Sequence, residues 1–182
     1  MNLLDLDARW KRLNDPTYSS QIDGRSFDGI FDIGFEEPED WPHGPRDSDD
    51  MHVGEDRLTA DLCRLDGRYF LRATLPLPLR GADETFNFGL WVEVTRETLH
   101  AYLDTFDTGA GFTAEGLTAN TLPGFDAEAT PVTLTAPDAT QRPTATATEG
   151  PLQEAQTNGI SFDDLLDIYA AAGQDIRPHL AG

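Results

Sequence analysis

From Tyr69 to Arg80 the chain alternates with a period of two. Tyr69, Leu71, Ala73, Leu75, Leu77 and Leu79 fall on one face, with Phe70, Arg72, Thr74, Pro76, Pro78 and Arg80 on the other. This pattern predicts a strand. Its prolines cannot donate to a ladder, so the far end should lie at an edge or leave the sheet. A second run alternates Phe86, Phe88, Leu90, Val92 and Val94 against Asn87, Gly89, Trp91 and Glu93, after a polar connection containing Gly81. An antiparallel hairpin is the most economical arrangement of the two. Upstream, Leu58 to Leu65 reads as one further strand closed by Asp66-Gly67, a strong turn signal.

Helical spacing of Leu3, Leu6, Trp10 and Leu13 predicts a short amphipathic helix over 2–14, ended by Asp15-Pro16. Thr95 is placed to cap a helix reaching about Asp107, with Leu99, Tyr102, Leu103 and Phe106 on one side. Asp28–Phe35, Phe112–Ala119, Val132–Thr135 and Arg142–Thr148 read as strands. Ser161, with Asp164 three residues on, opens a last helix that Gly173 stops. The expected fold is α+β: an antiparallel sheet built on the central hairpin, with a crossing helix, a C-terminal helix and a short N-terminal helix. Residues 1–19 form an N-terminal extension, 20–172 a single domain and 173–182 a tail.

Composition adds an acidic segment. Residues 36–56 hold nine acids against one arginine, which predicts a long surface loop. Asp47, Asp49 and Asp50 within it lack the glycine and closing glutamate of a calcium loop. The formal charge of the 182 residues is −20, with one lysine and twelve arginines against 22 Asp and 11 Glu. Spread along the whole chain, that profile reads as solvation more than as one binding face, and it disfavours bare nucleic acid. No run approaches the ~20 apolar residues of a membrane helix. The first residues lack a secretion signal's basic-then-apolar order, so the expected compartment is the cytoplasm.

Candidate chemistry is sparse. A lone cysteine, Cys63, excludes an intramolecular disulfide and an all-cysteine zinc site, and between strand residues it reads as a buried small hydrophobe. His43, His52, His100 and His179 have no motif around them. Asp61, Asp66 and Glu93 could pair for acid–base work, but an acidic chain supplies such pairs by chance. The candidate binding surface is Arg72, Trp91 and Glu93 on the second face of the hairpin, with Arg142 and Gln156 as further polar points. Arginine and tryptophan exposed together are typical interface anchors, whereas a covering helix would make Trp91 core.

Several pieces together resemble a bacterial family, domain of unknown function 2199. They are Asp61-Leu62-Cys63 with Asp66, Tyr69-Phe70-Leu71-Arg72, Pro78 and Phe86 through Val92. Gly116-Leu117, Leu122-Pro123, Arg142-Pro143 and Pro151-Leu152 through Gln156 to Gly159-Ile160 follow in the same order. The resemblance spans about residues 20–172. It implies an opening Cys-x-x-Cys-Gly-x-x-His knuckle and a Pro-Asp-aromatic element. Here Ser20, Asp23 and Phe27 stand at the ligand positions around Gly24, and Pro38-Glu39-Asp40-Trp41 follows. A cysteine at position 63 would complete a tetrahedral site in relatives. In this chain Ser20, Asp23, Phe27 and Cys63 are a degenerate site, expected to hold no zinc, with packing around Phe27 replacing the metal. Relatives also tend to carry a histidine where this chain has Gly150.

The expected function is that of a non-enzymatic interaction module without cofactor, accessory or immunity-like, whose acidic surface meets a basic protein partner. The alternative is a small-molecule binder or enzyme with a cleft near Arg72, Trp91 and Gln156.

Overall fold

The computed structural model of the protein describes residues 1–47, 49–126 and 129–182. After a 3-10 turn (Leu3–Leu6) come α1 (Ala8–Asn14), β1 (Ile33–Gly34), β2 (Met51–Val53), β3 (Asp56–Leu58), β4 (Leu62–Leu65), β5 (Arg68–Pro78) and β6 (Thr85–Val94). Then follow α2 (Arg96–Thr108), β7 (Phe112–Thr118), β8 (Pro131–Ala136), β9 (Thr144–Ala147), α3 (Gly150–Asn158), α4 (Phe162–Ala171) and α5 (Arg177–Leu180). The fold is α+β, and no described helix is long and apolar enough to cross a membrane.

The central hairpin forms as its alternation dictates, in register from Tyr69↔Val94 to Pro78↔Thr85. The sheet built on it closes on itself. Strands β6, β7, β8 and β9 follow one another, and β9 returns to pair with β5, making a five-stranded barrel. Most pairings are antiparallel; β1 on β6 and β9 on β5 are parallel. Closure brings β6 and β7 together at Gly116, where a Cβ would lie 2.4 Å from Val92 Cγ1 and 2.7 Å from the Glu93 carbonyl. Only glycine fits that crossing. The stripe Leu71, Leu75, Leu77, Phe86, Phe88, Leu90 and Val92 packs with Leu152 of α3 and Leu165, Leu166 and Tyr169 of α4 into the main core.

Five elements depart from the sequence expectation. The N-terminal helix is divided, because the Asp7 carboxylate caps α1 by accepting from the Arg9 N–H, leaving Leu3 and Leu6 exposed. The run Leu58–Leu65 is two strands, since Thr59 Oγ1 accepts from the Asp61 and Leu62 N–H groups and reverses the chain. The acidic loop, whose residue 48 lies outside the described residues, ends early. Its last part is the β2–β3 hairpin, turned at Gly54 (φ +63) and Glu55. The tail is not an appendage, since Ile176 and Leu180 are fully buried. Residues 150–158, for which no helix is expected, form α3 with Pro151 in its first turn.

A second apolar cluster lies on the other face of the hairpin. It joins Phe70 and Trp91 to Leu58, Cys63 and Leu65 of β3 and β4 and to Trp41.

Candidate functional site

Placement of the five surface candidates follows from that second cluster. Arg72 and Trp91 do share a face, but the segment around Phe35–Trp41 roofs it rather than a helix. Trp91 is fully buried; its Nε1 donates to the Phe35 carbonyl (3.0 Å) and its backbone N–H to Asn120 Oδ1 (2.8 Å). Arg72 is 8% exposed, with its guanidinium 5.9 Å from the Trp91 ring and a 3.4 Å contact to Glu36. Arg142 pairs with Asp61 at 2.7 Å. Gln156 accepts from the Ala147 N–H (2.7 Å) and donates to the Pro76 and Ala145 carbonyls (3.1 Å each). Arg72, Trp91, Arg142 and Gln156 line none of the four described cavities, so none of these is the cleft expected near Arg72, Trp91 and Gln156.

Glu93 receives two bonds from Arg68, at 2.9 and 2.8 Å, and Arg68 also reaches Asp40 at 2.9 Å. Those hydrogen bonds hold the Glu93 carboxyl below its ordinary value of 4.5. A depressed carboxylate contributes stability above the unfolded value and loses it as pH falls through the folded one. The difference in Tm between the wild type and Glu93→Gln is therefore expected to be largest near neutral pH and to shrink below about pH 4. Thermal melts across that range check it; a constant difference would show that the pair is not the source.

At the N-terminal corner, Ser20, Asp23 and Phe27 converge on a residue from the far end of the chain. Ser20 Oγ lies 2.9 Å from His179 Nδ1, Asp23 Oδ1 lies 3.6 Å from the same atom, and the Phe27 ring packs edge-on to the imidazole. The Tyr18 hydroxyl donates to the His179 carbonyl and Arg12 to the Leu180 carbonyl, which ties α5 to the N-terminal region. Cys63 lies elsewhere, in the second cluster, so the four positions do not form one grouping. Among the described residues no three His, Cys, Asp or Glu side chains are arranged to hold a metal ion. Burial pushes the Cys63 thiol up to about 12. Cys63 should therefore resist a thiol reagent at pH 8 until denaturant unfolds the domain, as a reagent titration across the unfolding transition would read. Labelling at the free-thiol rate in buffer would contradict this placement.

The largest of the four described clefts is lined by none of the five surface candidates. In the ladder β2–β3–β4–β5, His52 pairs with Arg57, Arg57 with Arg64 and Arg64 with Tyr69, which sets these side chains in one row. Helix α2, capped by Thr95, contributes Arg96, Leu99, His100 and Leu103, an i, i+3, i+4, i+7 stripe. Between them lies a cleft of about 770 Å³, lined also by Leu62 and Glu55. Its apolar wall is Leu62, Tyr69, Leu99 and Leu103; its polar wall carries three arginines and two histidines against one carboxylate. The stripe on α2 was visible in the sequence. In the sequence its leucines share a side with Tyr102, which in the structure points into the core.

A protein-family model described as "Uncharacterized protein conserved in bacteria (DUF2199)" matches residues 22–160, a span that contains the whole cleft and leaves out α1 and α5. No curated protein and no solved structure matches the chain.

Proposed function

The chain belongs to the DUF2199 family of uncharacterised bacterial proteins, and from that premise we propose that it is a small-molecule-binding domain whose site is the cleft between α2 and β2–β5. One observation carries the reading: a cavity of about 770 Å³ with an apolar wall facing a cationic one. Ligand sites are commonly clefts of roughly 300–1,000 Å³ that combine apolar lining with a few convergent polar groups. The position accounts for the exposure of Leu103, which is 36% exposed on a helix whose neighbour Tyr102 is packed.

The test uses a neutral environment-sensitive dye, Nile red. Saturable one-to-one fluorescence enhancement is expected. Leu103→Asp, at a solvent-facing position, should weaken binding about tenfold or more while leaving the melting curve in place. Equal binding by the wild type and Leu103→Asp would move the site elsewhere. The competing reading, an acidic interaction module, would gain if salt-sensitive capture of a basic protein occurred with the cleft residues dispensable.

A further inference from the structure

We infer that the ligand of this cleft is an amphipathic anion, a carboxylate or phosphate head on an apolar body; this rests on the reading of the cleft as a ligand site. The argument comes from how the chain distributes its arginines. Carboxylates outnumber basic residues 33 to 13, so any arginine could have a partner nearby. Elsewhere most do: Arg9, Arg68, Arg142 and Arg177 each lie within 2.7–2.9 Å of a carboxylate oxygen and Arg46, Arg72 and Arg80 within 3.4–3.9 Å, while Arg12 donates to the Leu180 carbonyl and Arg25 lies over the Phe27 ring. In the cleft they do not. Arg57 makes no ion pair with a described residue. Among the described residues the Arg96 side chain makes one hydrogen bond, donating from Nε to His100 Nε2 at 3.4 Å. Arg64 reaches Glu55 at 3.9 Å, a carboxylate whose side chain is 92% exposed, and so exposed a pair contributes little.

Placement compounds the cost. Arg57 and Arg64 are direct cross-strand partners, where like charges repel and destabilise the ladder. Arg96 is the first residue of α2, the end at which the helix dipole disfavours a cation. Three choices that each work against stability, made on one cleft, fit a bound charge of opposite sign. Arginine suits the task because its planar fork holds carboxylate or phosphate with two parallel hydrogen bonds. Leu62, Tyr69, Leu99 and Leu103 then cover the body of the ligand, which a bare inorganic anion would leave unused.

Octanoate, octyl phosphate, 1-octanol, octylammonium and inorganic phosphate are the probes, titrated calorimetrically below their aggregation limits. The two amphipathic anions are expected to bind at least about tenfold more tightly than octylammonium, on the scale of a charge-assisted hydrogen bond. Which of the two binds more tightly identifies the head. Arg57→Gln and Arg64→Gln should each weaken anion binding about tenfold and leave 1-octanol unaffected. They should also raise the Tm of the free protein by roughly 1–3 °C, since a cross-strand repulsion is removed. That gain separates the effect from simple misfolding. Equal binding of octanoate and octylammonium, indifferent to both arginines, would overturn the inference while leaving the cleft a ligand site. Failure of every octyl probe and of Nile red would remove both. Inorganic phosphate binding as tightly as octyl phosphate would overturn the amphipathic half. Sedimentation with phosphatidylglycerol vesicles without binding of monomeric octyl phosphate would overturn it in favour of a lipid surface.

Discussion

Trp91→Ala is expected to destabilise the protein by about 3–5 kcal/mol, a fall in Tm of roughly 10 °C for a domain of this size. The indole is fully buried and holds the roof of the second cluster through its bond to the Phe35 carbonyl. Its removal leaves a cavity beside Phe70 and Cys63, an unpaired carbonyl, and a buried Arg72 without the ring beneath it. Trp91→Phe keeps most of the volume and loses only the N–H, so it should cost about 1–2 kcal/mol. Chemical denaturation of the three proteins gives the comparison. In the alanine variant, Cys63 should also become reactive well below the unfolding midpoint, because both residues sit in one cluster. A wild-type midpoint for Trp91→Ala would mean that this face is presented to a partner and not packed.

Gln156→Leu should be nearly as damaging, by about 3 kcal/mol, because three backbone groups lose their partner at once. The reason lies in the barrel's seam. Strands β5 and β9 pair in register only at Thr74↔Thr144, where the Thr74 N–H donates to the Pro143 carbonyl. Two residues on, Pro76 has no N–H to offer, so the ladder cannot continue. The Gln156 amide from α3 spans the gap, taking the Ala147 N–H and serving the Pro76 and Ala145 carbonyls. Gln156→Glu retains the acceptor but not the donors, and should fall between leucine and the wild type. If leucine were tolerated within about 0.5 kcal/mol, the size of a neutral surface change, the seam would not depend on this side chain.

Gln156 and Arg72 also illustrate what can be read without a structure. In the sequence Arg72 stands out as a charge on the apolar hairpin and Gln156 as a polar point in a similar family position, and both suggest a binding surface. The same property suits a buried polar group that satisfies backbone or steadies a loop, and local sequence does not distinguish the two. Trp91 was balanced between interface and core for the same reason. Its partner in the fold, the Phe35 carbonyl, lies 56 residues away in the chain. Cys63 reads as a buried small hydrophobe from its place among strand residues and the burial habit of cysteine, and it is buried. His179 has no motif around it in the sequence, because its partners, Ser20 and Asp23, lie at the opposite end of the chain.

By itself the sequence determined what depends on near neighbours: the period-two alternation of β5 and β6, the Thr95 and Ser161 caps, the α+β class and the family. These follow from spacing, propensity and turn chemistry, which act within a few residues. Tertiary structure alone decided the rest. Closure of the barrel requires β9 to return to β5 across some 70 residues, and the cationic row requires four strands in one exact register. A shift of one residue would turn Arg57 and Arg64 away from α2. Register is set by the packing of the opposite face, Leu58 and Cys63 against Phe70, so the cleft that carries the proposed function comes from core packing on the reverse side of the sheet.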